Sequence, residues 1–155
     1  MTKPLLIAGL ALILAIANWA IFSREQLKAH GTVVYLELAP VDPRSLMQGD
    51  YMALRYKIDR TTPSVTEDGF LIVKLDDRRI ATAVGWNTER AAGELRLKYR
   101  TRHGRTAIGS DAYFFEEGTS ARYETARYGE FRIDPDGNAL LTGLRDANLQ
   151  RLGPI

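Results

Sequence analysis

Eighteen consecutive residues, Leu5 to Phe22, carry no charge. Hydrocarbon offers no partner to a bare N–H or C=O, so a run that enters a membrane must close its own backbone hydrogen bonds as a helix. At about 1.5 Å per residue this run reaches about 27 Å, close to the thickness of a bilayer's hydrocarbon core. Gly9, Asn18 and Trp19 are the only residues in it that are not aliphatic or Phe22, and Trp19 stands near the end where an indole can occupy the membrane–water interface. Lys3 precedes the run, and Arg24 and Lys28 follow it. A signal peptide and a core helix both fit this run less well. A cleaved signal peptide would use Ala15-Ile16-Ala17, but that A-x-A pattern lies inside the apolar run, not after it. An amphipathic core helix would need a polar face, and none exists before Asn18. Residues 1–23 therefore read as a transmembrane anchor that meets membrane lipid through residues 5–22. The basic residues on its two flanks nearly balance. A short tail before a signal-like helix stays in the cytoplasm, which puts the following domain outside.

Beyond the anchor, residues 24–30 read as a linker, 31–145 as one β-rich domain and 146–155 as a C-terminal tail. A chain of 155 residues has room for one such domain, not two. It contains no cysteine, which removes disulfides, thiolate metal sites and cysteine nucleophiles together. Lys and Arg number 21 and Asp and Glu 19, and this near balance gives no reason to expect nucleic acid as a partner.

The expected fold is mainly β (α+β), an antiparallel β-rich domain with one short helix. Thr32 to Leu38 is rich in β-branched and aromatic residues. From Tyr51 to Ile58 the chain alternates, with Met52, Leu54, Tyr56 and Ile58 on one face and Tyr51, Arg55 and Lys57 on the other. Phe70–Leu75 and Ile80–Trp86 flank Asp76-Asp77-Arg78-Arg79 as a hairpin, and Glu94–Arg100 with Thr106–Ile108 forms another. Asp111–Phe115 is a short strand. Thr119–Tyr128 reads as the one helix of the domain, capped by Thr119 or Ser120 and ended by Gly129. Glu130–Asp134 and Ala139–Leu144 close around the turn Pro135-Asp136-Gly137-Asn138.

The segment Gly49-Asp50-Tyr51-Met52-Ala53-Leu54-Arg55-Tyr56 fits G-D-Y-x-x-L-x-Y at every fixed position. Pro40-Val41-Asp42-Pro43-Arg44 before it and Tyr113-Phe114-Phe115-Glu116-Glu117-Gly118-Thr119 after it match the same pattern of lead-in and acidic turn. On these residues the chain resembles the bacterial GDYXXLXY proteins. The resemblance implies a short protein anchored in the inner membrane, encoded beside polytopic membrane proteins. It implies no reaction and no cofactor.

The motif can serve the fold or serve binding. In the first role, Gly49 allows a tight turn and Asp50 accepts backbone hydrogen bonds or pairs with Arg44. In the second, Asp42, Arg44, Gly49, Asp50, Tyr51, Leu54, Arg55 and Tyr56 contribute to a binding site, its exposed surface formed by Asp42, Arg44, Asp50, Tyr51 and Arg55. Catalytic constellations are thin. Ser45 and Lys57 hint at a Ser–Lys dyad, but Leu46-Met47-Gln48 follows the serine and Lys57 falls on a charged strand face. His30 and His103 lie far apart without companion ligands, and Asp76-Asp77 and Glu116-Glu117 look like solvated turn acids, so no metal is expected. Residues 90–105 hold six basic residues against Glu94 alone, and Arg96, Lys98, Arg100 and Arg102 recur every second position, with Arg105 across the turn. Either the acids of residues 111–136 balance this row, or an anionic lipid headgroup or envelope polymer does. The sequence thus leads to a noncatalytic binding or assembly domain tethered to the bacterial inner membrane, acting with a polytopic membrane protein. The alternatives are a carboxylate-dependent envelope hydrolase centred on Asp50 and a binder of anionic surfaces through residues 96–105.

Overall fold

The computed structural model describes residues 2–39, 47–48, 51–61, 67–102 and 105–153. The apolar run forms most of α1, Thr2–His30. Its large side chains stand exposed along the whole run, Leu6, Ile13 and Phe22 among them, and no part of the domain covers them. The polar side chains inside α1 turn back on its own carbonyls. Asn18 Nδ2 donates to Leu14 O at 2.8 Å and Ser23 Oγ to Ala20 O at 2.9 Å. This helix is long and apolar enough to cross a membrane, a character that an anchor shares with a signal sequence. It does not stop where the apolar residues stop. Residues 24–30, read from sequence as a linker, are its last turns.

The rest is mainly antiparallel β structure. Eleven strands are present among the described residues, in three sheets. In the first, β1 (Thr32–Glu37) pairs with β9 (Tyr128–Ile133), β9 with β10 (Ala139–Arg145) and β10 with the short β11 (Arg151–Leu152). The second comprises β2 (Met47–Gln48), β3 (Tyr51–Ala53) and β8 (Ala112–Phe114). The third runs β5 (Ala81–Trp86), β4 (Gly69–Leu75), β6 (Glu94–Arg102), β7 (Arg105–Ile108). Both predicted hairpins are present, and the first closes on Asp76, whose Oδ1 accepts the N–H groups of Arg78 and Ile80. Bulges displace the register between Ile72 and Val73 and between Leu141 and Gly143.

One hydrophobic cluster serves all three sheets. Val34, Leu36, Phe131, Ile133 and Leu144 come from the first, Met52 from the second, and Leu71, Val73, Leu97, Tyr99 and Ile108 from the third. Leu54, Tyr56 and Ile58 join it from the segment after β3.

Three sequence expectations need correction. The helix expected over residues 119–128 is a single 3-10 turn, Ser120–Tyr123, and Thr119 makes no side-chain cap on it. Strand pairing captures the chain first: Leu38 N donates to Arg127 O, Arg127 N to Arg145 O, and Gly129 lies inside β9 instead of ending a helix. Tyr123 is held by ring contacts with Phe115 at 5.0 Å and Tyr113 at 5.3 Å. The strand expected to run to Ile58 pairs regularly only over Tyr51–Ala53, because the chain then changes partners. Leu54 N donates to Asp111 O, Arg55 O accepts from Ala39 N, and a 3-10 turn occupies Lys57–Thr61. The alternation of burial nonetheless continues to Ile58. Past residue 145 the chain turns back, and Arg151–Leu152 adds a strand where a tail was expected.

The return of β11 depends on a buried ion pair that the sequence did not reveal. Glu130 is only 4% exposed. Nε and Nη2 of Arg145 both meet its Oε2, and Thr142 Oγ1 donates to its Oε1 at 2.9 Å. Arg145 Nη1 reaches Leu149 O and Arg151 Nη2 reaches Thr142 O, so the same network fastens the final turn. Burial pushes the Glu130 carboxyl up, but Arg145, Thr142 and Arg151 together hold it below its ordinary value. Removing one partner of such a pair strands the other charge in a low dielectric. Arg145→Met should therefore cost about 3–5 kcal/mol, measured by denaturant unfolding of the detergent-solubilised chain. The loss should shrink below the Glu130 pKa, where the carboxyl is neutral in either state.

Candidate functional site

The motif divides into a buried half and an exposed half. Leu54 and Tyr56 are 4% and 2% exposed. Tyr56 Oη donates to Ser110 O at 2.9 Å, its ring meets Phe131 edge-on at 5.5 Å, and its backbone bridges to Leu38. Burial first, and then the nearby Asp59 and Asp111, raise its phenol well above the usual value. Tyr56 thus stays a neutral donor that joins strand β1, the sheet of β9 and the approach to β8. Neither it nor Leu54 offers surface to a partner.

Tyr51 and Arg55 lie on the other side. Tyr51 is half-buried and its ring lies 5.7 Å from that of Phe114, its register partner on β8. Phe114 is 74% exposed, the most exposed large apolar side chain of the described β domain. The sequence did not single out Phe114 as a site residue. Its cross-strand pairing with the motif tyrosine depends on two strands about sixty positions apart, which alternation alone cannot match. Gly49, Asp50, Asp42, Arg44 and Ser45 lie outside the described residues.

The basic row stands on β6. Leu97 and Tyr99 point into the core, while Arg96, Lys98 and Arg100 are exposed on the opposite face. Arg96 lies 5.2 Å from the centre of the Phe70 ring and its Nε donates to Pro135 O at 3.3 Å, and Lys98 Nζ donates to Asn138 Oδ1 at 2.9 Å. Among the described residues none of the three forms an ion pair with a carboxylate, and Arg96 and Lys98 instead contact the turn that carries Asp134 and Asp136. Arg102 and Arg105 face each other across the β6–β7 turn, and their side chains fall outside the described part.

A shallow depression of about 260 Å³ is lined by Glu37, Leu38, Lys57, Arg127, Tyr128 and Ala147. Lys57 pairs there with Glu37 at 3.1 Å, their side chains 62% and 44% exposed. The Lys57 amine is thus turned to Glu37, and Ser45 lies outside the described residues, so no described geometry joins the two as a Ser–Lys dyad. Among the described residues no three His, Asp or Glu side chains gather as a metal site. His30 ends α1, and His103 lies outside the described residues.

Among the described residues, Asp59 is the perturbed acid near the motif. Its Oδ2 accepts the Tyr56 N–H at 3.0 Å, which starts the 3-10 turn. Burial raises its pKa to about 6, partly offset by that hydrogen bond. The folded state therefore favours the protonated form. The stability this confers is complete below about pH 4 and is lost as pH rises through 6. Asp59→Asn keeps the acceptor and removes the charge. Its stability relative to the parent should rise between pH 4 and pH 7, followed by thermal melts across that range; parallel curves for the two proteins would contradict the assignment.

No curated protein and no solved structure matches the chain. A family model described as GDYXXLXY protein matches residues 13–144, which takes in most of α1, the motif and the described strands from β1 to all but the last residue of β10. The sequence resemblance and the family match agree, and the chain belongs to the GDYXXLXY protein family.

Proposed function

We propose that this chain is a single-pass, membrane-tethered, noncatalytic binding or assembly domain of the bacterial inner membrane. In this reading α1 is retained as the anchor, the β domain lies on the extracytoplasmic side, and the partner is a polytopic membrane protein. The observation that carries it is the aromatic pair Tyr51–Phe114. A motif tyrosine and a 74% exposed phenylalanine stand side by side on the small sheet, while Met52, Leu54 and Tyr56 of the motif are committed to the core. An aromatic pair left at the surface suits protein contact, because it supplies large area at little loss of rotamer freedom. The exposed flanks of α1 support a second contact inside the bilayer, where a helix with no covering neighbour can pack against others.

The test is recovery of the partner. The full chain, crosslinked in cells and purified in mild detergent, should bring down a polytopic membrane protein. Phe114→Ala and Tyr51→Ala should lose most of that recovery. The melting of Phe114→Ala should change little, since exposed surface substitutions stay within about 0.5 kcal/mol. Equal recovery by both variants would remove the aromatic pair from the interface, and no recovered protein at all would contradict the assembly role.

A further inference from the structure

We propose that the exposed face of β6, formed by Arg96, Lys98 and Arg100, rests on the anionic headgroups of the membrane that holds α1. The inference relies on the reading of α1 as a retained anchor, and three features of the structure carry it from there.

The first is continuity. α1 runs unbroken to His30 and enters β1 through Gly31, with only one residue between helix and strand. A side chain on Gly31 would stand 2.5 Å from Leu27 O and 2.9 Å from Arg132 Cβ, so helix and sheet touch at this point. Gly31 N donates to Leu27 O and Arg132 Nη1 donates to Gly31 O, and Leu27 is buried. The domain is therefore fastened to the helix, not hung from a flexible tether. From Phe22 to Gly31 the helix rises about 13 Å. A headgroup zone is about 5–8 Å deep on each side of the hydrocarbon. The helix-facing end of the domain thus stands within reach of a long basic side chain, and within about one Debye length, of the charged surface.

The second is which end of the domain faces the helix. Thr32, the first residue of β1, pairs with Ile133, the last of β9, so the β9–β10 turn lies at the end where α1 enters. That turn is docked on the basic strand. Lys98 N donates to Gly137 O at 2.8 Å, Lys98 Nζ to Asn138 Oδ1 and Arg96 Nε to Pro135 O. A side chain on Gly137, at φ +85°, would come 2.9 Å from Arg96 O, so this contact also is close. Arg96 and Lys98 are thereby held beside this turn, at the end of the domain where α1 enters, and Arg100 continues the row along β6.

The third is charge. Arg96, Lys98 and Arg100 form a like-charged row that no carboxylate pairs among the described residues. On the adjoining turn Asp134 accepts from Asn138 through Oδ1 and Oδ2 and Asp136 is exposed, so three bases of the row stand against two acids without a direct ion pair. Each basic residue near an anionic surface shifts occupancy of that surface by about fivefold, so three acting together suffice to hold a domain already anchored beside it. Lipid is favoured over a soluble polymer because the anchor delivers its headgroups to this face at fixed distance.

The native chain has no cysteine, so Asp136→Cys permits one fluorophore on the turn. The full chain is reconstituted into phosphatidylcholine vesicles with or without phosphatidylglycerol, each with the same trace of a quencher linked to a headgroup. Quenching should be stronger with phosphatidylglycerol. It should fall to the phosphatidylcholine level in raised sodium chloride and in Arg96→Gln/Lys98→Gln/Arg100→Gln, with that variant's melting near the parent's. Equal quenching in both lipids would overturn the proposal, as would binding of soluble polyphosphate to the row with no lipid dependence. Flotation separates the two readings. A chain that floats with neutral vesicles but shows no lipid-dependent quenching keeps the anchor and refutes the headgroup contact. A chain that fails to float refutes the anchor.

Discussion

Backbone polar groups cannot stay unpaired in hydrocarbon, and α1, long and apolar enough to cross a membrane, meets that constraint by closing its hydrogen bonds within itself. The apolar run must be helical, and once helical it continues, because Arg24 to His30 includes no Gly or Pro to stop it. It ends where it meets the sheet. Gly31 is the residue that allows this, since any side chain there would collide with Leu27 and Arg132. Helix, junction and first strand thus follow one another with no slack. Strand β1 then sets the register of β9, and β9 of β10 and the turn between them.

The family motif serves that framework through its inward-facing residues. Leu54 and Tyr56 fill the junction of three sheets, and the hydroxyl of Tyr56 binds a carbonyl fifty-four positions away. A tyrosine in a core needs such an acceptor, which explains why the motif asks for Tyr and not Phe at this place. The neighbouring tyrosine, Tyr51, faces outward by the same alternation and pairs with Phe114. One short segment therefore both fastens the fold and presents a surface, through the two faces of a strand.

Much of this was legible in the sequence for a definite reason. Local signals have local causes: the uncharged run, the hairpin turns around Asp76 and Gly137, and the period-two burial from Met52 to Ile58 all depend on neighbours a few residues away. What the sequence hid depends on distant pairing. Thr119 to Tyr128 has the composition of a helix, yet Arg127 is claimed by backbone bonds from Leu38 and to Arg145. Glu130 looks like an ordinary polar position until Arg145 and Thr142 close over it from β10. Phe114 gained its meaning only when β8 came beside β3. The basic row was visible as charge, but its place beside the β9–β10 turn was not.

A rigid passage from helix to domain is the claim on which placement at the membrane depends, and hydrogen exchange reads it directly. In the full chain embedded in lipid nanodiscs, the backbone amides of residues 24–31 should exchange slowly, protected like those of β1. Exchange across 24–31 at the rate of an unstructured peptide would mean that the domain swings on a loose tether, and would contradict the rigid junction.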